Sequence, residues 1–332
     1  MSISRYSSVV TLPGFNIPGT NRHDIPLVLD FLSLRFPGIS KDVWQTRIKF
    51  GKVLDTNGNP LTLESLCVPH SKVYYFREVN SEPVVPFSES IIFQNEHLLV
   101  ADKPHFLPVI PGGSHVNESL LNRLKIRTGI LDLVPVHRID METAGLVLFS
   151  VEKKSRGLYQ KLFMAGKIRK SYMALTHCPI SSSGALAENS RYWIIKNRIV
   201  QGDPWFRMKI DPAGMVNSIT RVETLEIMNN KALLRLLPET GKKHQLRLHL
   251  SSEGCPIVND RFYPELLPKS PPDFNNPLQL LAYRLEFMDP VLGHPMDFIS
   301  SFTIGHHDET KQAKPSAEAA SSCSGCRTWQ CE

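Results

Sequence analysis

The stretch Val134–Ser150, VPVHRIDMETAGLVLFS, constrains this chain more than any other. His137 and Arg138 form a basic pair just ahead of Asp140. A polar turn follows (Glu142, Thr143, Ala144, Gly145), and then the apolar run Leu146–Phe149. An apolar run bounded by turn residues reads as a buried strand. A carboxylate fixed between cations and a buried strand has the setting that a carboxylate nucleophile needs. Alone, Asp140 reads as a salt-bridged or turn-forming aspartate. Its standing depends on what the rest of the chain brings to it.

The chain has 332 residues, enough for two domains with a sizeable core. No run approaches the roughly 18–20 apolar residues of a membrane span. The start, MSISRYSSVV, lacks the charged-then-apolar pattern of a secretory signal. A cytoplasmic protein with no membrane partner is expected. The net charge of +6 and the pI near 8.9 permit a polyanionic partner without requiring one.

Cys67, Cys178 and Cys255 are scattered and read as reduced and structural. Cys323, Cys326 and Cys331 crowd the end, with His306-His307 upstream, but there is no second CxxC pair to complete a zinc site. This tail is poor in apolar residues and is expected to be disordered. No Walker or dinucleotide glycine loop, no Gly-x-Ser-x-Gly, and no His-x-Glu with Pro-Cys-x-x-Cys occurs. Nucleotide-binding loops, serine-hydrolase chemistry and zinc base deamination are disfavoured accordingly.

In chain order, residues 1–22 read as a loosely docked arm. Asp24 and Pro26 mark a helix start, Leu27, Phe31 and Leu34 recur at helical spacing, and Pro37-Gly38 stops the run. Ser40 caps a second helix with Val43, Trp44, Ile48 and Phe50 apolar, ending near Gly51. Val53-Leu54, the turn Asp55–Pro60 and a strand Val73–Val79 follow, and Arg47, Lys49, Lys52 and Lys72 give this unit a basic face. Over roughly residues 25–79 the pattern resembles the alpha-L RNA-binding module of ribosomal proteins. The alternative is a small packing domain with a solvated charged face.

A Pro- and Ser-rich linker, residues 80–90, leads to a hairpin of Ile91–Phe93 and Leu98–Ala101. Ser119 caps a helix through Arg127, closed by Gly129, and Ser155–Ala165 reads as another helix. Ile168–Leu175 alternates as a strand, leaving Lys167, Arg169 and Lys170 beside Tyr172. Strands are expected at Tyr192–Ile195, Ile219–Ile227, Ala232–Leu237, Leu280–Phe287 and Met296–Phe302. Between them lies Pro238–Leu250, PETGKKHQLRLHL, the most cationic short segment, with a helix starting near Lys243.

Three segments carry a resemblance that no single one would. His137-Arg138-Ile139-Asp140-x-x-Thr143-x-Gly145 is similar to the HRLDxxTSG signature of the RluA-like family of RNA pseudouridine synthases. Lys170-x-Tyr172 matches that family's tyrosine segment, and Gly241–His249 matches its GRTHQIRVH segment. Glu96–Pro104 and Ala282–Leu285 match its opening and closing strands, in the right order, over about Ile91–Phe302. Ala144 replaces the usual serine, and Lys242-Lys243 replaces Arg-Thr.

The resemblance implies an α+β fold: a mixed, mostly antiparallel central sheet with flanking helices, plus the small N-terminal alpha-L module. It implies an arm, module and linker start over 1–82, a catalytic domain over 83–304, and a tail over 305–332. It implies isomerisation of uridines in structured ribosomal or transfer RNA, no cofactor or metal, and a monomer.

Asp140 would be the catalytic carboxylate, attacking sugar or base or removing a sugar proton. Arg247 would pair with it and fix its rotamer. Tyr172 would stack on the target base and accept or relay the C5 proton, and Leu246 would form the opposite wall. Arg138 would fill the place that the flipped uridine leaves. His137, Lys103, Lys167, Arg169, Lys170, Lys242 and Lys243 complete the expected substrate-binding set, the lysines and Arg169 on phosphates and His137 in a mainly structural part. The competing readings are a noncatalytic RNA-binding protein that retains the fold, and a nucleotide hydrolase built on Asp140.

Overall fold

A computed structural model describes residues 2–14, 27–177, 191–228 and 230–304. Asp24, Cys178 and the tail 305–332 lie outside the described residues. The chain divides into two compact units, Met1–Pro83 with Gly112–Asn117, and Val84–Pro111 with the remainder from Glu118. Among the described residues no helix is long and apolar enough to cross a membrane.

The first unit contains β1 (Ser2–Ile3), β2 (Ser8–Thr11), α1 (Val28–Arg35), α2 (Lys41–Lys49), β3 (Val53–Leu54), β4 (Lys72–Tyr75) and β5 (Glu78–Val79). The side chain of Ser40 caps α2 by accepting the N–H of Val43. Val28, Leu32, Trp44, Ile48, Val53 and Val73 bury one another in its core.

Several features depart from the sequence reading: Leu34 points outward from α1, and the expected strand Val73–Val79 is split into β4 and β5. The first residues are strands rather than a loose arm: β1 pairs with β5, and β2 forms an antiparallel ladder with β4. Arg47 does not lie on a basic face; it is buried against Glu78 and stacks 4.9 Å from the ring centroid of Trp44. Val43 and Phe50 point outward, because α2 has only one side turned to this small core.

The second unit begins with β6 (Ser90–Gln94), β7 (Leu98–Lys103), α3 (Leu120–Thr128), β8 (Val134–Pro135), β9 (Ala144–Ser150), α4 (Lys153–Met164) and β10 (Arg169–His177). It continues with β11 (Tyr192–Asn197), β12 (Ile199–Gln201), β13 (Met208–Ile210), β14 (Ser218–Met228), β15 (Lys231–Pro238), α5 (Gln245–Ser252), β16 (Leu280–Met288) and β17 (Pro295–Ile299). Ser119 and Gly129 cap α3, the glycine at φ 73° as a left-handed C-cap requires.

The sheet runs in the order β11-β14-β15-β10-β16-β9-β7-β6, with β17 beside β16 and β8 beside β9. Its only parallel pairing among the described strands is β9 with β16. The mixed, mostly antiparallel sheet is the one expected from the sequence.

Strands β7 and β9 are buried along their whole lengths. Their side chains alternate, as period two dictates. Leu99, Ala101, Val147 and Phe149 face α3, whereas Leu98, Val100, Leu146 and Leu148 face Tyr159 of α4. On the other half of the sheet, α5 packs Leu246 and Leu250 onto Val222, Leu234 and Leu236. The two halves join at β16, and the candidate site lies at that seam.

Candidate active site

The turn carrying Asp140 leads directly into β9, and Gly145 fixes where β9 begins. Its φ is +110°, and a Cβ there would sit 2.2 Å from the carbonyl oxygen of Ala282 and 2.7 Å from its nitrogen. Only glycine permits that approach of two backbones. Ala282 of β16 lies opposite Gly145 on one side and opposite Tyr172 of β10 on the other. The β10–β16 ladder shifts register between Ser171 and Tyr172. A bulge of this kind re-aims side chains beside functional sites. Gly145, Ala282 and Tyr172 thus form one row across three strands, which brings the tyrosine to the Asp140 turn.

Two side chains from one segment pin that turn from below. Lys103 donates to the carbonyls of Pro104, Leu107 and Met141, at 3.0, 2.7 and 3.0 Å. The His105 Nδ1–H donates to the carbonyl of Glu142 at 2.7 Å. Burial pushes Lys103 down to about 7, while the charges of Asp140, Glu142 and Asp102 pull it back up. Three carbonyls match the three N–H groups of an ammonium. Lys103 is therefore not a phosphate ligand. It is fully buried, and its donors are spent on the loop that bears Asp140.

Arg247 comes from α5 and is 1% exposed. Its Nε and Nη2 hold Asp260 in a two-pronged pair at 2.8 and 2.6 Å, and Nη2 lies 2.8 Å from Glu142. Its remaining Nη1 lies 3.5 Å from Oδ2 of Asp140. Phe262 stacks beneath the guanidinium at 4.8 Å. Burial lowers the guanidinium's proton affinity, but Asp260, Glu142 and Asp140 together drive it upward overall. Burial raises Glu142, with Asp260 and Asp140 adding to the rise and Arg247 opposing it. The Tyr172 phenol is pushed well above its ordinary range by burial and then by Asp140, so it stays protonated at neutral pH. It packs against the cluster that contains Leu246.

Over residues 97–252 the chain matches the family described as RNA pseudouridylate synthase. It is 31% identical over 220 residues to the dual-specificity RNA pseudouridine synthase RluA of Haemophilus influenzae, covering 65% of this chain and 94% of that protein. The chain belongs to the RNA pseudouridine synthase family. An uncharacterized RNA pseudouridine synthase of Helicobacter pylori is 36% identical over 178 residues, but this covers only 58% of that relative's length and 53% of this chain. The fold is shared with human RNA pseudouridylate synthase domain containing 1, at TM-score 0.52 and 22% identity, covering 66% of this chain and 86% of that one.

Within this isomerase family's fold, the remaining expected residues separate into two groups. Arg138, Lys167, Arg169, Lys242 and Lys243 are exposed, and Lys170 is half-buried with its ammonium over the Phe163 ring. A Cβ on Gly241 would meet the Lys170 Nζ at 3.9 Å, so the Lys170 head lies at the turn before α5. His137 faces inward instead. It stacks 4.4 Å from Phe163, its Nε2 accepts the Leu148 N–H, and burial and then Lys170 lower it to about 3. It orders the motif and has no nitrogen to spare at Nε2 for RNA.

The sequence reading missed Asp260 and His105 altogether and treated Glu142 only as a turn residue. A buried arginine needs a carboxylate partner, but α5, with only three leucines in its eight residues, does not announce in its sequence that Arg247 is buried, so Asp260 carried no signal. The expected helix start near Lys243 falls at Gln245. His244 precedes it at φ 54°, and Gln245 Oε1 accepts the Lys242 N–H at 3.0 Å.

Proposed function

We propose that the chain isomerises specific uridines of folded ribosomal or transfer RNA to pseudouridine, with Asp140 as the catalytic carboxylate. The observation that carries this reading is the asymmetric use of Arg247. Two of its nitrogens are committed to Asp260, and the third faces Asp140 at 3.5 Å. A guanidinium locked this way holds its positive charge beside one oxygen of Asp140. Asp140 keeps a partly open side chain, 29% exposed, for a ribose or base to reach.

The reaction breaks the bond between C1′ and N1, turns the base, and joins C1′ to C5, whose proton must leave. Asp140 serves by attacking sugar or base, or by taking a sugar proton to open a glycal route. Tyr172, as a phenol, lies against the base; its hydroxyl oxygen takes the C5 proton as it gives up its own, and one proton returns through solvent to N1, which the broken bond to C1′ leaves without a substituent. Leu246 walls the opposite side. Flipping the uridine costs about a few kcal/mol, and Arg138, exposed beside the turn, offsets part of it by filling the vacated stack. Lys167, Arg169, Lys242 and Lys243 track phosphates.

The test incubates the protein with total RNA from cells lacking its gene and maps new pseudouridines beside an Asp140→Asn variant. Sites made by the wild type and absent with the variant support the proposal. Sites made equally by both reject Asp140, and no sites at all reject the activity in favour of RNA binding alone.

A further inference from the structure

Strands β12 and β13 pair antiparallel and project the turn Gly202–Arg207. The Gly202 N–H donates to the Arg207 carbonyl, and the Arg207 N–H donates to that of Pro204, which closes the turn. Tyr263 anchors the hairpin. Its hydroxyl accepts the Met208 N–H at 2.8 Å, donates to the Met208 carbonyl at 3.2 Å, and lies 3.0 Å from Nδ1 of His244. The local core is already made by Ile199, Leu248 and Tyr263, with Met208, Ile210 and Phe262 against it. Trp205, at the tip, has no part in that core and is 72% exposed.

Trp205 is nevertheless not an isolated surface ring. Lys243 places its ammonium 5.6 Å from the ring centroid. Trp205 meets Phe206 edge-on at 6.0 Å, Phe206 meets Phe262 at 5.6 Å, and Phe262 lies under Arg247 at 4.8 Å. A continuous run of rings therefore links the exposed tip to the guanidinium that faces Asp140. Exposed Lys242 and Lys243 stand at the turn into α5, the helix that carries Arg247. A flat π surface beside cations suits a base attached to a phosphate backbone better than an apolar protein or lipid partner.

Resting on the pseudouridine synthase reading, we propose that Trp205 is a stacking platform for an unpaired base of the RNA, a neighbour of the target uridine, while Lys243 holds the adjoining phosphate. Stacking is sequence-tolerant, so the platform selects for an unpaired nucleotide rather than for its identity. It works against fully paired RNA, whose bases are already stacked on one another.

The experiment uses the full chain and a single-stranded uridine oligonucleotide, with a fully paired RNA duplex of the same length beside it. Tryptophan emission is titrated in the wild type and in Trp205→Phe, and affinity is read by anisotropy of labelled RNA. The oligonucleotide should quench a component that Trp205→Phe lacks, and the duplex should not. Trp205→Ala should weaken oligonucleotide binding about ten-fold, and Trp205→Phe, which keeps a ring, by only about two-fold. Equal quenching in the wild type and Trp205→Phe, or unchanged affinity in Trp205→Ala, overturns the platform. Pseudouridine mapping on the same wild-type protein keeps the two readings apart. A Trp205 component without product rejects the activity alone, and Asp140-dependent product without that component rejects the platform alone.

Discussion

Replacing Lys103 by methionine separates two roles that a lysine beside an RNA site can play. The side chain keeps its length and loses its three donors. The carbonyls of Pro104, Leu107 and Met141 then lose the partner they share. A buried acceptor left without a donor costs about 1–3 kcal/mol. Removing a buried cation relieves a desolvation cost of several kcal/mol. The net loss for Lys103→Met is on the order of 2–3 kcal/mol, seen as a melting point lower by several degrees, at ~2–4 °C per kcal/mol.

The same change frees Met141, next to Asp140, from β7. A displacement of ~1 Å at a reacting group costs up to about a hundred-fold in rate, so kcat should fall at least about ten-fold. RNA affinity should keep its salt dependence, because no phosphate contact is lost. Thermal melting, single-turnover pseudouridine formation and the slope of log affinity against log salt read the three effects separately. A slope smaller by about one unit with an unchanged melting point would refute the reasoning and return Lys103 to the phosphate track.

Arg247→Lys keeps the charge but loses the fork, and should cost about 3 kcal/mol in urea denaturation and at least about a hundred-fold in kcat. Adding Asp260→Asn should recover part of the stability and none of the activity. Gly145→Ala drives a Cβ into the Ala282 backbone and should cost more than about 3 kcal/mol. Circular-dichroism melting checks this, and since the clash is with backbone atoms, Ala282→Gly should not rescue it. Burial lowers His137 to about 3 and His105, His244 and His249 to about 4. The unfolded chain binds these protons first, near pH 6.5, so the stability they confer is full above that pH and is lost as pH falls towards 4. Urea midpoints should decline steadily over that window, and less steeply in His137→Gln.

Local signals in the sequence located most elements of the second unit: the α3 caps Ser119 and Gly129, the alternation in β10, and the apolar run in β9. They could not order the sheet. Placing β16 between β9 and β10, parallel to one and antiparallel to the other, is a long-range choice without a local signature. The same holds for β2, whose partner β4 lies some sixty residues away and whose four residues, SVVT, lie within a stretch that reads as an arm. In the site, the motif residues stood out because their types and order are unusual. The residues that hold them were hidden, since burial and not identity gives them their role. Lys103 in ADKPHF looks like any surface lysine until the fold encloses it with three carbonyls.

The difference between holders and held bears on the chemistry. Arg247 contacts three carboxylates, but not equally. Asp260 is engaged by two short hydrogen bonds and is itself fixed by the N–H groups of Phe262 and Tyr263. Asp140 receives one longer contact and stays partly open. Under the proposed chemistry Asp140 must form and release a bond, and a carboxylate with that task cannot also be locked in a two-pronged pair, because each turnover would then have to break that pair. Asp260 therefore fixes the arginine, and Lys103 and His105 fix the turn through its carbonyls. The Asp140 turn is held through the carbonyls of Met141 and Glu142, which leaves the Asp140 side chain free for the role proposed for it.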